Sequence, residues 1–185
     1  MVNYTKQMIS EKMCELLQHK TIDKITVKSL VEECGINRQT FYYHFCDIYD
    51  LLEWTLMDNI RRYEESHPVE NENLQGRVSL LFKFFFKYKI VIMHAYDQSN
   101  RLQYEIFIKK NLYPVFENYV SKCPCAEKLK DDKKLFICNV YTLMASSFIL
   151  QWIEEGMPDE YKIRLEDYFT IMDGSIERSV LQFTQ

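Results

Sequence analysis

Between Gly35 and Phe45 the run Gly35-Ile36-Asn37-Arg38-Gln39-Thr40-Phe41-Tyr42-Tyr43-His44-Phe45 gathers a guanidinium, a carboxamide, a hydroxyl, two phenols and an imidazole on one short helix. These groups suit a nucleic acid. Arg38 can fork onto guanine or a phosphate, Gln39 can pair with an adenine edge, and Thr40 can bond a phosphate or meet a thymine methyl. The Tyr42 and Tyr43 hydroxyls reach phosphates. Phe41 and Phe45 lie four apart and share the buried face, which pushes Arg38, Gln39, Tyr42, Tyr43 and His44 outward or to the flank. Thr26 and Lys28, at the start of the preceding helix, offer the DNA backbone a hydroxyl, a cation and the positive end of a helix dipole. The same residue types also fit the solvated face of an ordinary helix, with the tyrosines packing.

The elements that must hold these groups follow from helical spacing. Ile9, Met13, Leu16 and Leu17 share one face over residues 4–19, which end near the cations His19 and Lys20. Thr26 caps a short helix over 27–33 with Val27, Leu30 and Val31 inward; Gly35 makes the turn and Asn37 caps the next helix. Two short helices joined by a glycine-containing turn form a helix-turn-helix. Asp47 caps a helix over 48–65 with Ile48, Leu51, Leu52, Leu56, Ile60 and Tyr63 inward, ending at His67-Pro68. Further helices are expected near 73–88, 90–96, 101–120, 132–155 and 159–181, with turns at Asp97-Gln98-Ser99-Asn100 and Gly156-Met157-Pro158. The fold class is all-α, about nine helices.

Composition narrows the function. A chain of 185 residues with 47% apolar content can bury a sizeable core. The formal charge of −4 excludes a general nucleic-acid coat, yet residues 1–46 carry six Lys/Arg against five Asp/Glu, while the remainder carries 17 against 22. Six scattered cysteines and the absence of a signal-peptide pattern point to reduced thiols in the cytoplasm. Cys123 and Cys125 lack a second Cys/His pair at zinc spacing, so no metal and no cofactor is expected. The apolar stretch from Leu135 to Ile153 carries Asn139, Thr142, Ser146 and Gln151 as a polar stripe, which makes it a buried helix rather than a membrane span. His94 with Asp97, or Tyr141 near Cys138, are the best enzyme candidates, and no catalytic motif supports either. The chain is expected not to be an enzyme.

Residues 25–52 resemble the DNA-binding region of the TetR family in register, most specifically from Gly35 to Phe45. The resemblance implies an N-terminal helix-turn-helix domain (1–47) and a C-terminal helical effector and dimerisation domain (48–185). It further implies that Thr26, Arg38, Gln39, Thr40, Tyr42 and His44 lie at DNA-contact positions, and that a homodimer binds a palindromic operator on double-stranded DNA. Two departures stand out. Ile48 replaces a common Lys, which removes a phosphate contact, and Cys46 replaces a common Pro, which loosens the turn. The segments Leu135-Phe136-Ile137-Cys138 and Gln151-Trp152-Ile153-Glu154-Glu155-Gly156-Met157 are similar to the subgroup containing the dihydroxyacetone-kinase operon activator, where regulation runs through a protein partner. The effector is therefore either a small molecule or a protein.

Eleven aromatics fall between residues 82 and 119. The family places its effector cavity in this region, which nominates Phe85, Tyr88, His94, Tyr96, Gln103, Tyr104 and Phe107 as lining; plain core is the competing reading. The family also pairs the last two helices across the dimer. Ala145 and Ser146 are small enough for close helix approach, Phe148 and Trp152 are anchors, and Tyr168, Met172 and Ile176 form a stripe, although burial inside one subunit gives the same periodicity. A helical adaptor that has lost operator binding is the rival to a DNA-binding regulator.

Overall fold

The computed structural model describes residues 2–68, 74–96 and 100–184, which form ten α-helices. They are α1 (Val2–Leu17), α2 (Val27–Cys34), α3 (Arg38–His44), α4 (Ile48–Ser66), α5 (Leu74–Lys87), α6 (Lys89–Ala95), α7 (Arg101–Lys122), α8 (Asp131–Glu154), α9 (Tyr161–Met172) and α10 (Ser175–Phe183), with 3-10 turns at Ile22–Lys24 and Ala126–Lys128. Among the described residues there is no strand. Three of the four residues expected to form the turn before α7 lie outside the described residues; Asn100 alone is placed, and its buried side chain donates to the Ala95 carbonyl at 3.0 Å.

The chain packs as two compact units: residues 1–71 with 78–101, and residues 72–77 with 102–185. In the first, α1 supplies Ile9, Met13 and Leu17, each fully buried, and packs on α2, α4 and α6. Each such side chain stabilises the unit by roughly 1.5–3 kcal/mol through its removal from water. Leu30, Phe41 and Leu51 complete the core from α2, α3 and α4. This packing unit is larger than the 1–47 segment expected to carry DNA binding, because α4, most of α5 and α6 join it.

Polar contacts tie α4 to α1 as well. Asp58, buried, accepts from Arg61 Nη2 and Arg62 Nε, each at 2.6 Å, and Arg62 Nη1 lies 3.9 Å from Glu11 on α1. Asn59 Nδ2 donates to Cys14 Sγ at 3.2 Å. Burial pushes the Cys14 thiol up, so it stays protonated at neutral pH.

In the second unit, α7 buries Tyr104, Ile108, Leu112, Phe116 and Val120 at four-residue intervals, and α8 buries ten of its residues. By length and composition α8 passes as a membrane span, yet 56% of its apolar window is buried inside the chain. The last expected helix is corrected here. It is two helices, because Gly174 adopts φ 62° and ends the α9 run at Asp173, and Ser175 Oγ then bonds the Met172 carbonyl at 2.8 Å.

Gly35 has the same conformation, φ 65°, and closes α2 as its amide reaches Glu32 O at 3.3 Å and the Ile36 amide reaches Val31 O at 3.0 Å. A Cβ there would meet open space, so only the backbone conformation resists substitution. Gly35→Ala should therefore lower stability by about 1 kcal/mol, and Gly35→Asn by less, read as a shift of the urea midpoint at constant slope.

Candidate nucleic-acid interface

Three side-chain caps build the site. At α2, Thr26 Oγ1 accepts the Ser29 amide at 3.1 Å, and Ser29 Oγ accepts the Thr26 amide at 3.2 Å. At α3, Asn37 Oδ1 accepts the Thr40 amide at 2.8 Å. At α4, Asp47 Oδ1 accepts the amides of Tyr49 and Asp50, at 2.8 and 2.9 Å. A helix of seven residues has little stability of its own, so α3 depends on its cap and on its buried face. That face is Phe41 and Phe45, whose rings lie 5.8 Å apart, with Phe45 edge-on to Trp54 of α4 at 6.0 Å.

With those two rings inward, Arg38, Gln39, Tyr42 and Tyr43 are exposed, the tyrosines by 57% and 75%. Among the described residues none of their polar ends has a hydrogen-bond partner. Tyr42 packs edge-on against Phe41 at 5.4 Å, and Tyr43 against His44 at 4.9 Å, so the phenols are held away from the core. His44 is half-buried at the last position of α3. Thr40 is more constrained than its sequence suggests. Its hydroxyl donates to Asn37 Oδ1 at 3.0 Å, which ties up the proton a phosphate would take. Thr26 is exposed, but its oxygen serves the α2 cap, while Lys28 is exposed on the first turn of α2.

The two unusual positions sit together at the α3–α4 corner. Cys46 replaces a residue type without an N–H, and here its amide donates to Asp50 Oδ2 at 2.8 Å. With Asp47 capping in the other direction, the Asp50 carboxylate and amide both tie the corner by hydrogen bonds. Ile48 is half-buried and opens α4 without a charge.

Two family models match. The tetR family of bacterial regulatory proteins matches residues 11–54, and a transcriptional regulator C-terminal region of the same family matches residues 72–174. The chain belongs to the TetR family. It is a TetR-family transcriptional regulator, and its α2–α3 pair is the helix-turn-helix of that family. Two solved structures share the fold over most of their length. A protein titled dihydroxyacetone kinase operon activator DhaS superposes with a TM-score of 0.60 at 19% identity, covering 98% of both chains. A tetR-family transcriptional regulator from Streptomyces coelicolor superposes at 0.56 and 13% identity, over 98% of this chain and 90% of that one. No curated protein sequence matches significantly.

The residues nominated for an effector cavity are divided between the two packing units. In the first, Phe85 is buried, and Tyr88, His94 and Tyr96 are half-buried. Phe85 and Tyr88 both pack on the buried Phe84, at 5.9 and 4.7 Å, as members of an aromatic core that also includes Tyr63. The His94 Nδ1 lies 2.8 Å from the Leu17 carbonyl, which joins α6 to the end of α1. In the second unit Gln103 is exposed, Tyr104 is buried and Phe107 is half-buried beside it, with ring centroids 6.5 Å apart. Cys123 is buried with its thiol pushed up to about 11, mainly by burial, and Cys125 takes φ 66° in the following turn. Among the described residues no group of three His, Cys, Asp or Glu side chains comes together as a metal site.

The nominated dimer residues all lie in the second packing unit. Ala145, Ser146, Trp152, Met172 and Ile176 are buried within the single chain, and Phe148 and Tyr168 stack on each other at 5.1 Å. On α8 the buried positions recur as adjacent pairs four residues apart, from Ile137 and Cys138 to Ile149 and Leu150, so one face is turned to the rest of the chain. Its outward face instead carries Leu135, Phe136, Leu143 and Met144, with Phe136 58% and Leu143 47% exposed. Leu181 of α10 is exposed too. This apolar face is exposed, and only the burial of the opposite face of α8 makes it legible.

The caps make a direct test. Asn37→Ala should cost about 1 kcal/mol and accelerate amide hydrogen exchange first at Thr40 and its α3 neighbours, while exchange in α7 and α8 stays unchanged.

Proposed function

We propose that this regulator binds operator DNA as a homodimer, inserting α3 into the major groove. The observation that carries the reading is the set Arg38, Gln39, Tyr42 and Tyr43, all exposed, with polar ends that no group among the described residues engages, on a helix whose rotation is fixed by Phe41 and Phe45. Arg38 and Gln39 are assigned to base edges, Tyr42 and Tyr43 to phosphates, and Lys28 with the α2 N-terminus to the backbone alongside. Thr40 presents its methyl, since its hydroxyl is held by Asn37. His44 flanks the base-reading set.

The dimer is assigned to the outward face of α8 with the exposed edge of α10. Phe136, Leu143 and Met144 form its apolar part, interleaved with the polar Asn139, Ser147 and Gln151. Two-fold symmetry then sets the recognition helices about 34 Å apart, in successive major grooves, and requires a palindromic operator. Such a protein works in the cytoplasm, with a small-molecule or protein effector acting through α4. A tilt of α4 is transmitted to α1 through the Asp58–Arg62–Glu11 group and Asn59. The neighbour titled an operon activator is a precedent for activation, and repression uses the same contacts.

Two measurements test this. In fluorescence anisotropy with a duplex selected from a random pool, wild type should bind tightly and lose affinity steeply as salt rises; Arg38→Ala and Tyr42→Ala should each weaken binding by about tenfold or more. No binding by wild type, or variants equal to it, would establish the adaptor reading instead. In sedimentation equilibrium the wild type should be a dimer, and Leu143→Glu, at an exposed position, should give a folded monomer; an unchanged dimer would move the interface elsewhere.

A further inference from the structure

We propose that Lys6 of α1 is a backbone phosphate contact of the DNA-binding face and supplies the positive charge that Ile48 does not. The inference rests on the operator-binding reading above and adds a residue to it.

Its ammonium lies 5.3 Å from the centroid of the Phe45 ring and 5.9 Å from that of Trp54. Phe45 closes α3, the recognition helix, and stands three residues before Ile48; Trp54 lies on the second turn of α4. The charge is therefore held between the residue that closes α3 and the second turn of α4, the helix whose first residue lacks a cation. Among the described residues no carboxylate pairs with Lys6, whereas Lys12 on the same helix is bound to Glu15 and Arg62 is bound to Asp58. The side chain is half-buried.

These facts combine into one physical argument. A free lysine gives up about 1.5–2 kcal/mol of rotamer entropy when it grips a phosphate. Two aromatic faces already restrict the Lys6 stem and hold its head by cation–π attraction, so most of that ordering precedes binding. The aromatic faces accept charge density but take none of the three N–H donors in a conventional hydrogen bond, so the donors remain available to phosphate oxygens. Nor do they neutralise the charge, so releasing a counterion from the duplex remains favourable. A carboxylate partner in the same place would do both.

The experiment is the salt dependence of duplex binding by the full chain, using Lys6→Gln, Lys6→Arg, Ile48→Lys and the Lys6→Gln/Ile48→Lys double variant on the pool-selected duplex. Each phosphate contact contributes about 0.9 to the slope of log affinity against log salt, so losing one in each half of a dimer should reduce the slope by about 1.8. Lys6→Gln should show that reduction with about tenfold weaker binding at low salt. Lys6→Arg should keep the wild-type slope, and Ile48→Lys should restore it in the Lys6→Gln background. A Lys6→Gln protein with the wild-type slope overturns the proposal, whether its affinity is unchanged or falls; in the latter case a matching drop in its urea midpoint identifies a packing role against Phe45 and Trp54. If wild type binds no duplex, the operator-binding reading fails first; if wild type binds and responds to Arg38→Ala while the Lys6→Gln slope is unchanged, only the Lys6 assignment fails.

Discussion

The rotation of α3 about its own axis is the constraint on which the proposed interface depends, and two phenylalanines set it. Phe41 and Phe45 are almost wholly buried, four residues apart, so they fix one line along the helix. A helix of seven residues turns less than twice, and with one line fixed the azimuth of every other side chain follows. Arg38, Gln39, Tyr42 and Tyr43 are outward because Phe41 and Phe45 are inward. A polar residue in place of either ring would release the helix without touching a single DNA-facing group.

Translation along the axis is set separately, by the caps. Asn37 and Asp47 bracket α3 and the start of α4, and Thr26 with Ser29 fixes the start of α2. Each cap satisfies amides that a short helix cannot satisfy internally, so the three helix starts are positioned by local hydrogen bonds and the helix faces by the shared core. The side chains assigned to DNA carry almost none of this structural duty. Thr26 and Thr40 are the exceptions, with hydroxyls committed to the framework, and their value to the interface lies in the geometry they impose and, for Thr40, in its methyl.

This division explains what the sequence made legible. Local rules, namely caps, glycine turns and helical spacing, lie within a few residues of each other, and they located α1 to α4 with their inward faces to within a residue or two. The α9–α10 break escaped because the apolar spacing runs on through Gly174, and only its left-handed conformation shows that the backbone stops. The dimer residues raise a different problem. Periodicity reports that a helix has an apolar side, but α8 is apolar on several sides, and which side its own chain covers is decided by α7, α9 and α10 together. Lys6 was invisible in the same sense: it meets Phe45 and Trp54 across gaps of 39 and 48 residues, and no local pattern connects them.

Long-range polar contacts converge on α1, and this gives the helix a part beyond packing. From α4 it receives Asn59 and the Asp58–Arg62 pair; from α6 it receives His94, which lies against the carbonyl of its last helical residue. The chain then runs through one 3-10 turn into the capped start of α2. A helix held by hydrogen bonds of fixed direction responds to displacement as a body, because bending it would cost its buried apolar contacts. In the proposed regulatory reading, motion of either α4 or α6 would be delivered to the helix-turn-helix through this one element. On the same reading, an effector acting through α1 would shift α2 and α3 as a unit while their internal caps, and so their reading geometry, stay intact.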